Sequence, residues 1–161
     1  PRLLPWRTLE QNVRLALPRD GEPADVARAL SEVGLEGLGH RYPAQLSLGQ
    51  ARRAALARAF AVRPEILYLD EPFVSLDEAT ARRLRELTLE LCRTRPVTVL
   101  MVTHNVREAV QLADRIVLLT QRPARVAGEV VLDVPRPQRT PGMVQEMAAD
   151  LARRFPAQIS L

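Results

Sequence analysis

Apolar residues recur at helical spacing through the N-terminal part of the chain. One run begins at the capping box formed by Thr8 and Gln11, and a second extends over about 23–34. The apolar positions of these two runs are Leu9, Val13, Ala16, Leu17, Val26, Leu30 and Val33. An alanine- and arginine-rich stretch over about 50–62 favours a third helix, which Pro64 ends. The pattern predicts a helical N-terminal region.

Short apolar runs bounded by helix breakers follow in the middle of the chain. Three runs have this form: 66–69, 97–102 and 116–119. They alternate with helical patterns over about 78–93 and 105–113. Continuous apolar runs are typical of strands buried on both faces, so this alternation predicts an α/β fold with a parallel sheet. A more alternating run over 126–134 predicts a strand nearer an edge, and a last helix is expected over about 143–155.

Composition places the chain among ordinary globular proteins and excludes several chemistries. The 161 residues are 47% hydrophobic and 26% charged, which is too apolar for a disordered chain and fits about one domain. All 23 basic residues are arginine, so the chain has no Schiff-base lysine, kinase lysine or phosphate-loop lysine. One cysteine excludes a disulfide framework and a multi-cysteine zinc site, and two histidines exclude a histidine-rich metal cluster.

The ends and the net charge of the chain give weaker guidance. The net charge of +4 is modest and does not by itself indicate nucleic acid binding. No stretch approaches the roughly 18 consecutive apolar residues of a membrane span, and the first residues lack the apolar core of a secretory signal. Because the chain begins with proline rather than methionine, it is expected to be a processed product or a piece of a longer protein.

Two segments carry the clearest candidate chemistry. Asp70 and Glu71 directly follow the first apolar run, where the carboxyl ends of parallel strands face a ligand crevice. There Asp70 could hold Mg²⁺ and Glu71 could deprotonate an attacking water, although the pair could also simply end a strand. Ser47, Gly49 and Gln50 open the alanine- and arginine-rich helix, where backbone amides could bind an anion or merely start a helix.

Further candidates follow along the chain. His104 comes directly after the second apolar run and could reach a phosphate or a catalytic carboxylate, or could be a surface residue. Asp77 ends the loop after the paired acids and could be either a helix cap or a functional group. His40 and Cys92 are interpreted as structural residues.

The order of these candidates resembles that of the ATP-binding cassette (ABC) ATPases. Ser47-Leu48-Gly49-Gln50 is similar to the signature loop, Ile66–Glu71 to the Walker B strand, Ser75–Asp77 to the D-loop and His104 to the switch histidine. Three further segments resemble the nitrate, sulfonate and taurine importer subgroup: Arg2–Thr8, Phe73–Asp77 and Arg122–Val126.

The resemblance implies an ATPase subunit of an ABC importer that uses ATP and Mg²⁺. Asp70 would hold the metal, Glu71 would be the base, and His104 would position the γ-phosphate and Glu71. Ser47, Gly49 and Gln50 would contact nucleotide held mainly by a second subunit in a head-to-tail dimer. Asp77 would link the two sites across that dimer.

The same resemblance implies a place and partners in the cell. The subunit would lie in the cytoplasm on the inner face of the membrane. It would bind a transmembrane permease through residues near Leu3–Trp6, work indirectly with a solute-binding protein, and bind no nucleic acid. The implied organisation is a helical subdomain over 1–63, half of an α/β ATPase core over 64–134 and a helical tail over 135–161.

Two departures from the family pattern keep alternatives open. Leu48 replaces the first glycine of the signature loop. The Walker A loop and the Q-loop glutamine are absent from the chain, so it is expected to begin just after the Q-loop and to be inactive alone. A non-enzymatic remnant or regulatory docking module is the alternative, and a nucleic-acid-associated ABC ATPase is a weaker one.

Overall fold

The computed structural model describes residues 3–159, which form two compact units divided between Met101 and Val102. Arg2, the first residue of the segment that resembles the importer subgroup, lies outside the described residues. So do the outer ends of the segments 1–63 and 135–161, and that three-part division remains a prediction.

The first unit begins with three helices that pack on one another: α1 (Leu9–Arg14), α2 (Pro23–Glu32) and α3 (Leu48–Ala61). The three predicted helices are therefore confirmed, with α3 starting two residues earlier than the alanine- and arginine-rich pattern indicated. A short 3₁₀ turn, Pro43–Gln45, precedes α3. Residues of these helices and Leu35, just after α2, form the core, whose most deeply buried members include Leu9, Val13, Val26, Leu35, Ala54 and Phe60. The periodicity located the part of the core on α1 and α2, because their apolar stripes face the other helices, whereas Leu35, Ala54 and Phe60 lay outside the predicted stripes.

A two-stranded parallel sheet completes the first unit. Strand β1 (Ile66–Asp70) and strand β2 (Thr98–Val102) are neighbours, and helix α4 (Glu78–Thr94) forms the crossover between them. The expectation that both strands are buried on both faces is wrong for the described chain. Leu67 is buried, but Ile66 and Tyr68 on the other face of β1 are 54% and 71% exposed. Burial of a strand depends on what covers each face, which an apolar run alone does not specify.

Arg95 ties the helices of the first unit to the loop before β2. Its Nη2 donates to both carboxylate oxygens of Glu32 at 2.7 and 2.6 Å, and its Nη1 donates to the Phe60 carbonyl at 2.8 Å. The guanidinium also lies 5.9 Å from the centroid of the Phe60 ring. One planar, five-donor group thus joins α2, the end of α3 and the segment that leads into the sheet.

The second unit packs two helices on an antiparallel hairpin. Helix α5 (Val106–Leu112) is followed by strands β3 (Arg115–Leu119) and β4 (Val126–Val131), and helix α6 (Pro141–Arg154) closes the unit after a 3₁₀ turn over Arg136–Gln138. Its buried core consists of Val110, Ile116, Leu118, Leu132, Ala148 and Leu151. β3 is the third strand of the predicted alternation, and it pairs antiparallel with β4. β4 ends at Val131, three residues before the predicted boundary.

A buried arginine holds the loop before α6 in place. The Arg139 guanidinium donates to the carbonyls of Val110 and Ala113 at the end of α5, both at 2.6 Å, and to the Val134 carbonyl at 2.8 Å. The carbonyls of Val110 and Ala113 lie in the last turn of α5, where no backbone amide of the helix follows to bond them. The arginine therefore supplies the hydrogen bonds that this helix end lacks. Burial lowers the pKa of Arg139. Among residues 3–159, no helix is long and apolar enough to cross a membrane.

Candidate functional site

The predicted anion-binding segment forms a complete capping box at the start of α3. The Ser47 hydroxyl accepts a hydrogen bond from the Gln50 amide at 3.2 Å, and the Gln50 side-chain carbonyl accepts one from the Ser47 amide at 2.9 Å. This arrangement fixes both side chains on the first turn of the helix, with Ser47 exposed. Leu48, which stands where the family has a glycine, is 43% exposed and is not part of the hydrophobic core.

Gly49 lies where α3 approaches the first turn of α4. A Cβ built at this position would lie only 2.7 Å from Cγ2 of Thr80. Carbon atoms in contact prefer about 3.5–4.0 Å, so this approach requires glycine. Packing against Thr80 is therefore one reason why position 49 is a glycine, and the sequence did not reveal it. The predicted reason, a close approach of the backbone to an anion, is independent of this contact.

Asp77 is the N-cap of α4 and lies on the same turn as Thr80. Its carboxylate accepts a hydrogen bond from the Thr80 amide at 3.0 Å. Hydrogen bonds from the side chain and the backbone of Thr80 lower the pKa of Asp77 below its usual range. The carboxylate is solvent-exposed and charged, and the cap interpretation is confirmed, while a role across a dimer remains a prediction.

The paired acids lie at the carboxyl end of β1, as the sequence indicated. Asp70 is the last residue of the strand, is exposed, and forms no ion pair or hydrogen bond through its side chain with any residue of 3–159. Glu71 is half-buried and has a φ of 44°, in the left-handed region that non-glycine residues rarely adopt. The Val74 amide donates to the Glu71 carbonyl at 3.4 Å, which closes the turn. Backbone strain of this kind concentrates at functional sites.

Buried groups fix the position of this turn. Phe73 is 3% exposed, and the Arg85 guanidinium lies 5.9 Å from the centroid of its ring. Arg52 on α3 donates through Nη2 to the Val74 carbonyl at 3.2 Å. The sequence does not single out Arg52, because it is one of several similar arginines on α3 and nothing in their spacing distinguishes it.

The first unit therefore brings most of the candidate residues into one connected arrangement. Gly49 touches the Thr80 side chain, Thr80 hydrogen-bonds Asp77, and α3 holds the turn after Asp70 and Glu71 through Arg52. No cluster of three or more metal-ligating side chains occurs within the described range 3–159. A lone accessible carboxylate such as Asp70 still suits Mg²⁺, which keeps several waters and shares its coordination with phosphate oxygens.

His104 belongs to the second unit and lies two residues after the end of β2. It is exposed and lies in a tightly hydrogen-bonded turn. The Thr103 hydroxyl donates to Oε2 of Glu108 at 2.9 Å and accepts from the Asn105 amide at 3.1 Å. The Asn105 side chain accepts from the amides of Arg107 and Glu108 and so caps α5. These bonds fix the backbone on both sides of the histidine.

Comparisons with known proteins agree with the motif order. The chain is 38% identical over 161 residues to aliphatic sulfonates import ATP-binding protein SsuB 2 of Pseudomonas syringae pv. tomato, covering 99% of this chain and 69% of that protein. The chain belongs to the ABC transporter family of ATP-binding proteins. The family profile described as ABC transporter matches residues 1–74. The family predicted from the sequence is thus confirmed.

Other members of the ABC family align over most of this chain. It is 43% identical to an aliphatic sulfonates import ATP-binding protein of Burkholderia lata, over 86% of the chain and 51% of that protein. It is 44% identical to a bicarbonate transport ATP-binding protein of Synechocystis, over 89% of the chain and 23% of that protein. The chain spans 51% to 59% of the length of the sulfonate import relatives from Burkholderia that it matches.

A solved structure supports the fold. The ATP-binding cassette MJ0796, a dimer in a post-hydrolysis state bound to ADP and Pi, matches with a TM-score of 0.69 and 29% identity. The match covers 83% of this chain and 60% of that one. The predicted fold class, a partial ABC ATPase domain with a parallel sheet flanked by helices, is confirmed.

Proposed function

We propose that this chain is part of the ATP-hydrolysing subunit of an ABC importer. The observation that carries the proposal is the connected arrangement of Ser47–Gln50, Asp70, Glu71 and Asp77, in a chain 38% identical over its length to a sulfonate import ATP-binding protein. The relatives named for aliphatic sulfonates and bicarbonate favour a small anion as the transported solute.

Each candidate residue has a proposed role in ATP hydrolysis. Glu71 accepts the proton of the water that attacks the γ-phosphate, from the turn that directly follows β1. His104 positions the γ-phosphate and Glu71. Asp70 supplies one carboxylate ligand for Mg²⁺, which when bound neutralises charge on the phosphate oxygens.

The remaining candidates act at the contact between two subunits. Ser47, Gly49 and Gln50 present the first turn of α3 to nucleotide bound mainly by the partner, where backbone amides favour an anion. Asp77 links the two sites through its place on the first turn of α4, beside Thr80. Leu48 is the first residue of α3, so the turn stays helical with leucine in place of glycine. This replacement is therefore compatible with nucleotide binding.

The proposed assembly contains two ATP-binding subunits paired head to tail and bound to a transmembrane permease, with a solute-binding protein as an indirect partner. The subunit would act on the cytoplasmic side, peripheral to the inner face of the membrane. The exposed segment around Trp6 is the proposed contact with the permease.

The 161-residue chain alone is proposed to bind ATP weakly or not at all. It contains no lysine, so it cannot supply the phosphate-loop lysine that ATPases of this class place on the β- and γ-phosphates. Isothermal titration of the chain with Mg-ATP tests this point. Low-micromolar affinity would contradict it.

The function itself is tested on the native protein with the Glu71→Gln variant. Steady-state hydrolysis is expected to fall by at least about 100-fold, as for loss of a general base, while nucleotide binding persists. The matched control is Glu65→Gln, just before the opposite end of β1, where the exposed carboxylate forms no ion pair or side-chain hydrogen bond with any residue of 3–159. Near-normal hydrolysis by Glu71→Gln would refute the role of the base. A wild-type protein without ATPase activity would favour the docking-module alternative.

A further inference from the structure

Arg52 is the arginine of α3 whose side chain reaches the turn that carries the proposed base. Its Nη2 donates to the Val74 carbonyl at 3.2 Å, 22 positions further along the chain. Its Nε is buried and forms no hydrogen bond within residues 3–159. In the part of the chain that the structure describes, the Val74 carbonyl is therefore the one group that hydrogen-bonds this guanidinium.

Val74 connects Arg52 to Glu71 through its own backbone groups. Its carbonyl accepts from Arg52, and its amide donates to the Glu71 carbonyl at 3.4 Å. One residue and two hydrogen bonds thus lie between the guanidinium and the backbone of the proposed base. Because Val74 makes both bonds with its backbone, a displacement of this residue is passed directly to the turn that carries Glu71.

The turn requires support from outside itself, because it contains two strained residues. Glu71 has a φ of 44° and Ser75 has a φ of 63°, both in the left-handed region. Residues persist in such conformations only where the surrounding structure determines them. Phe73, which is 3% exposed, anchors the turn on its buried side. Val74 is 41% exposed, and Arg52 holds its backbone on the other side.

Arg52 also lies close to the residues that are proposed to contact nucleotide held by the second subunit. It follows Gln50, which closes the capping box with Ser47, by two residues, less than one helical turn. The start of α3 therefore carries both the proposed nucleotide contacts and the arginine that holds the turn after β1. The position of the base thus depends on this helix start.

We propose that Arg52 is a positioning residue for Glu71, which fixes the turn that carries the base to the start of α3. This proposal rests on the proposed function, in which Glu71 accepts the proton of the attacking water. Arg52 acts through the Val74 backbone rather than on the reacting atoms. Misplacement of a reacting group by about 1 Å can cost about 100-fold in rate, so the loss of this hydrogen bond is sufficient to slow hydrolysis.

The test measures ATP hydrolysis by two Arg52 variants of the native subunit. Arg52→Met keeps an aliphatic side chain but no donor, and it is expected to lower kcat by about 10- to 100-fold with KM for ATP within about threefold of wild type. Arg52→Lys keeps a charged donor for the single Val74 carbonyl and should recover kcat to within about threefold of wild type. An Arg52→Lys protein as slow as Arg52→Met would count against the hydrogen bond and overturn the proposal.

The Glu71→Gln background shows whether Arg52 acts through the base. If it does, adding Arg52→Met should lower the residual hydrolysis by no more than about twofold, because the base is already lost. Independent contributions would multiply, and a further fall of about 10-fold or more in the double variant would overturn the proposal.

Arg53→Met is the matched control on the same helix. The Nη1 of Arg53 donates to the carbonyls of Val33 and Gly34, just after α2, at 3.0 and 3.1 Å. This variant should lower the thermal midpoint but keep kcat within about twofold of wild type. Equal falls in kcat for Arg52→Met and Arg53→Met, or an unchanged kcat for Arg52→Met, would overturn the proposal alone. Near-normal hydrolysis by Glu71→Gln would contradict the proposed function as well.

Discussion

Replacing Gly49 by alanine tests whether the start of α3 is fixed by its contact with α4. The new Cβ would lie 2.7 Å from Cγ2 of Thr80, about 1 Å inside an ordinary carbon contact. Thr80 cannot turn away freely, because its side chain and its amide both hydrogen-bond Asp77. Overpacking of this kind costs about 1–3 kcal/mol. Alanine gains up to about 1 kcal/mol over glycine within a helix, so the expected net loss is about 0–2 kcal/mol.

The Thr80→Ser background separates the clash from other effects of the substitution. Serine removes Cγ2 and keeps the hydroxyl that bonds Asp77. In that background Gly49→Ala should be neutral or stabilising by up to about 1 kcal/mol. The double-mutant cycle should therefore give a coupling of about 1–3 kcal/mol between the two positions.

Urea unfolding of the four proteins measures this coupling, and ATP hydrolysis gives a second readout. A coupling below about 0.5 kcal/mol would refute the packing argument, since independent sites add within that range. If Thr80→Ser restores the stability of the Gly49→Ala protein but not its hydrolysis, the glycine has a separate role at the phosphate. If both return, packing is its main role.

Three further changes test other parts of the structure. Gly128→Ala places a Cβ 2.5 Å from the ring of Phe155, so it should lower the free energy of unfolding by about 1–3 kcal/mol, with partial recovery in the Phe155→Leu background; an unchanged thermal midpoint would contradict this contact. Arg139→Lys has all its donors on one nitrogen and cannot match the separate Nε and Nη1 positions that bond the Val134 carbonyl and the carbonyls at the end of α5, so it should lose about 1.5–3 kcal/mol in urea unfolding, whereas a loss below about 0.5 kcal/mol would count against the guanidinium. Asp77 has a lowered pKa, so its charged form stabilises the fold above its ordinary pKa and that contribution is lost as the pH falls. Asp77→Asn should keep the midpoint at neutral pH and flatten its fall below about pH 5, and an equally steep fall would exclude the Asp77 cap as its source.

The helices, the strands and the family could be predicted because each depends on short-range patterns. Thr8 begins a predicted helix through a capping box with Gln11, which is a local interaction between residues three apart. The capping box of Ser47 and Gln50 was not predicted as such, but Ser47 and Gln50 were placed at the start of the same helix. The paired acids Asp70 and Glu71 could be located at a strand end for the same reason. The order of such local motifs then identified the family without any knowledge of tertiary contacts.

Features that depend on distant neighbours were not predicted. The exposed face of β1 at Ile66 and Tyr68 depends on what covers the sheet, and the Gly49 contact depends on how α3 and α4 approach each other. Asn12 on α1 is fully buried, and its side chain hydrogen-bonds the backbone of Leu4 and Arg7. It did leave a signal, because it shares the i, i+3, i+4 stripe with Leu9 and Val13. A polar residue within an apolar stripe indicates a buried side chain with hydrogen-bond partners. This pattern would have identified Asn12 as buried from the sequence.

In the proposed enzyme, the first turn of α3 in one subunit closes over nucleotide held by a second subunit, with Glu71 as the base. The most direct measurement is the mass of the native Glu71→Gln protein in solution, by light scattering, with and without Mg-ATP. Removal of the base should trap the nucleotide-bound pair of subunits, so the measured mass is expected to double when ATP is added. The control is Ser47→Arg in the same background, which should prevent the doubling by placing a large side chain on that turn. If the protein binds ATP but its mass does not change at saturating ATP, the proposed pairing of two subunits around nucleotide is contradicted.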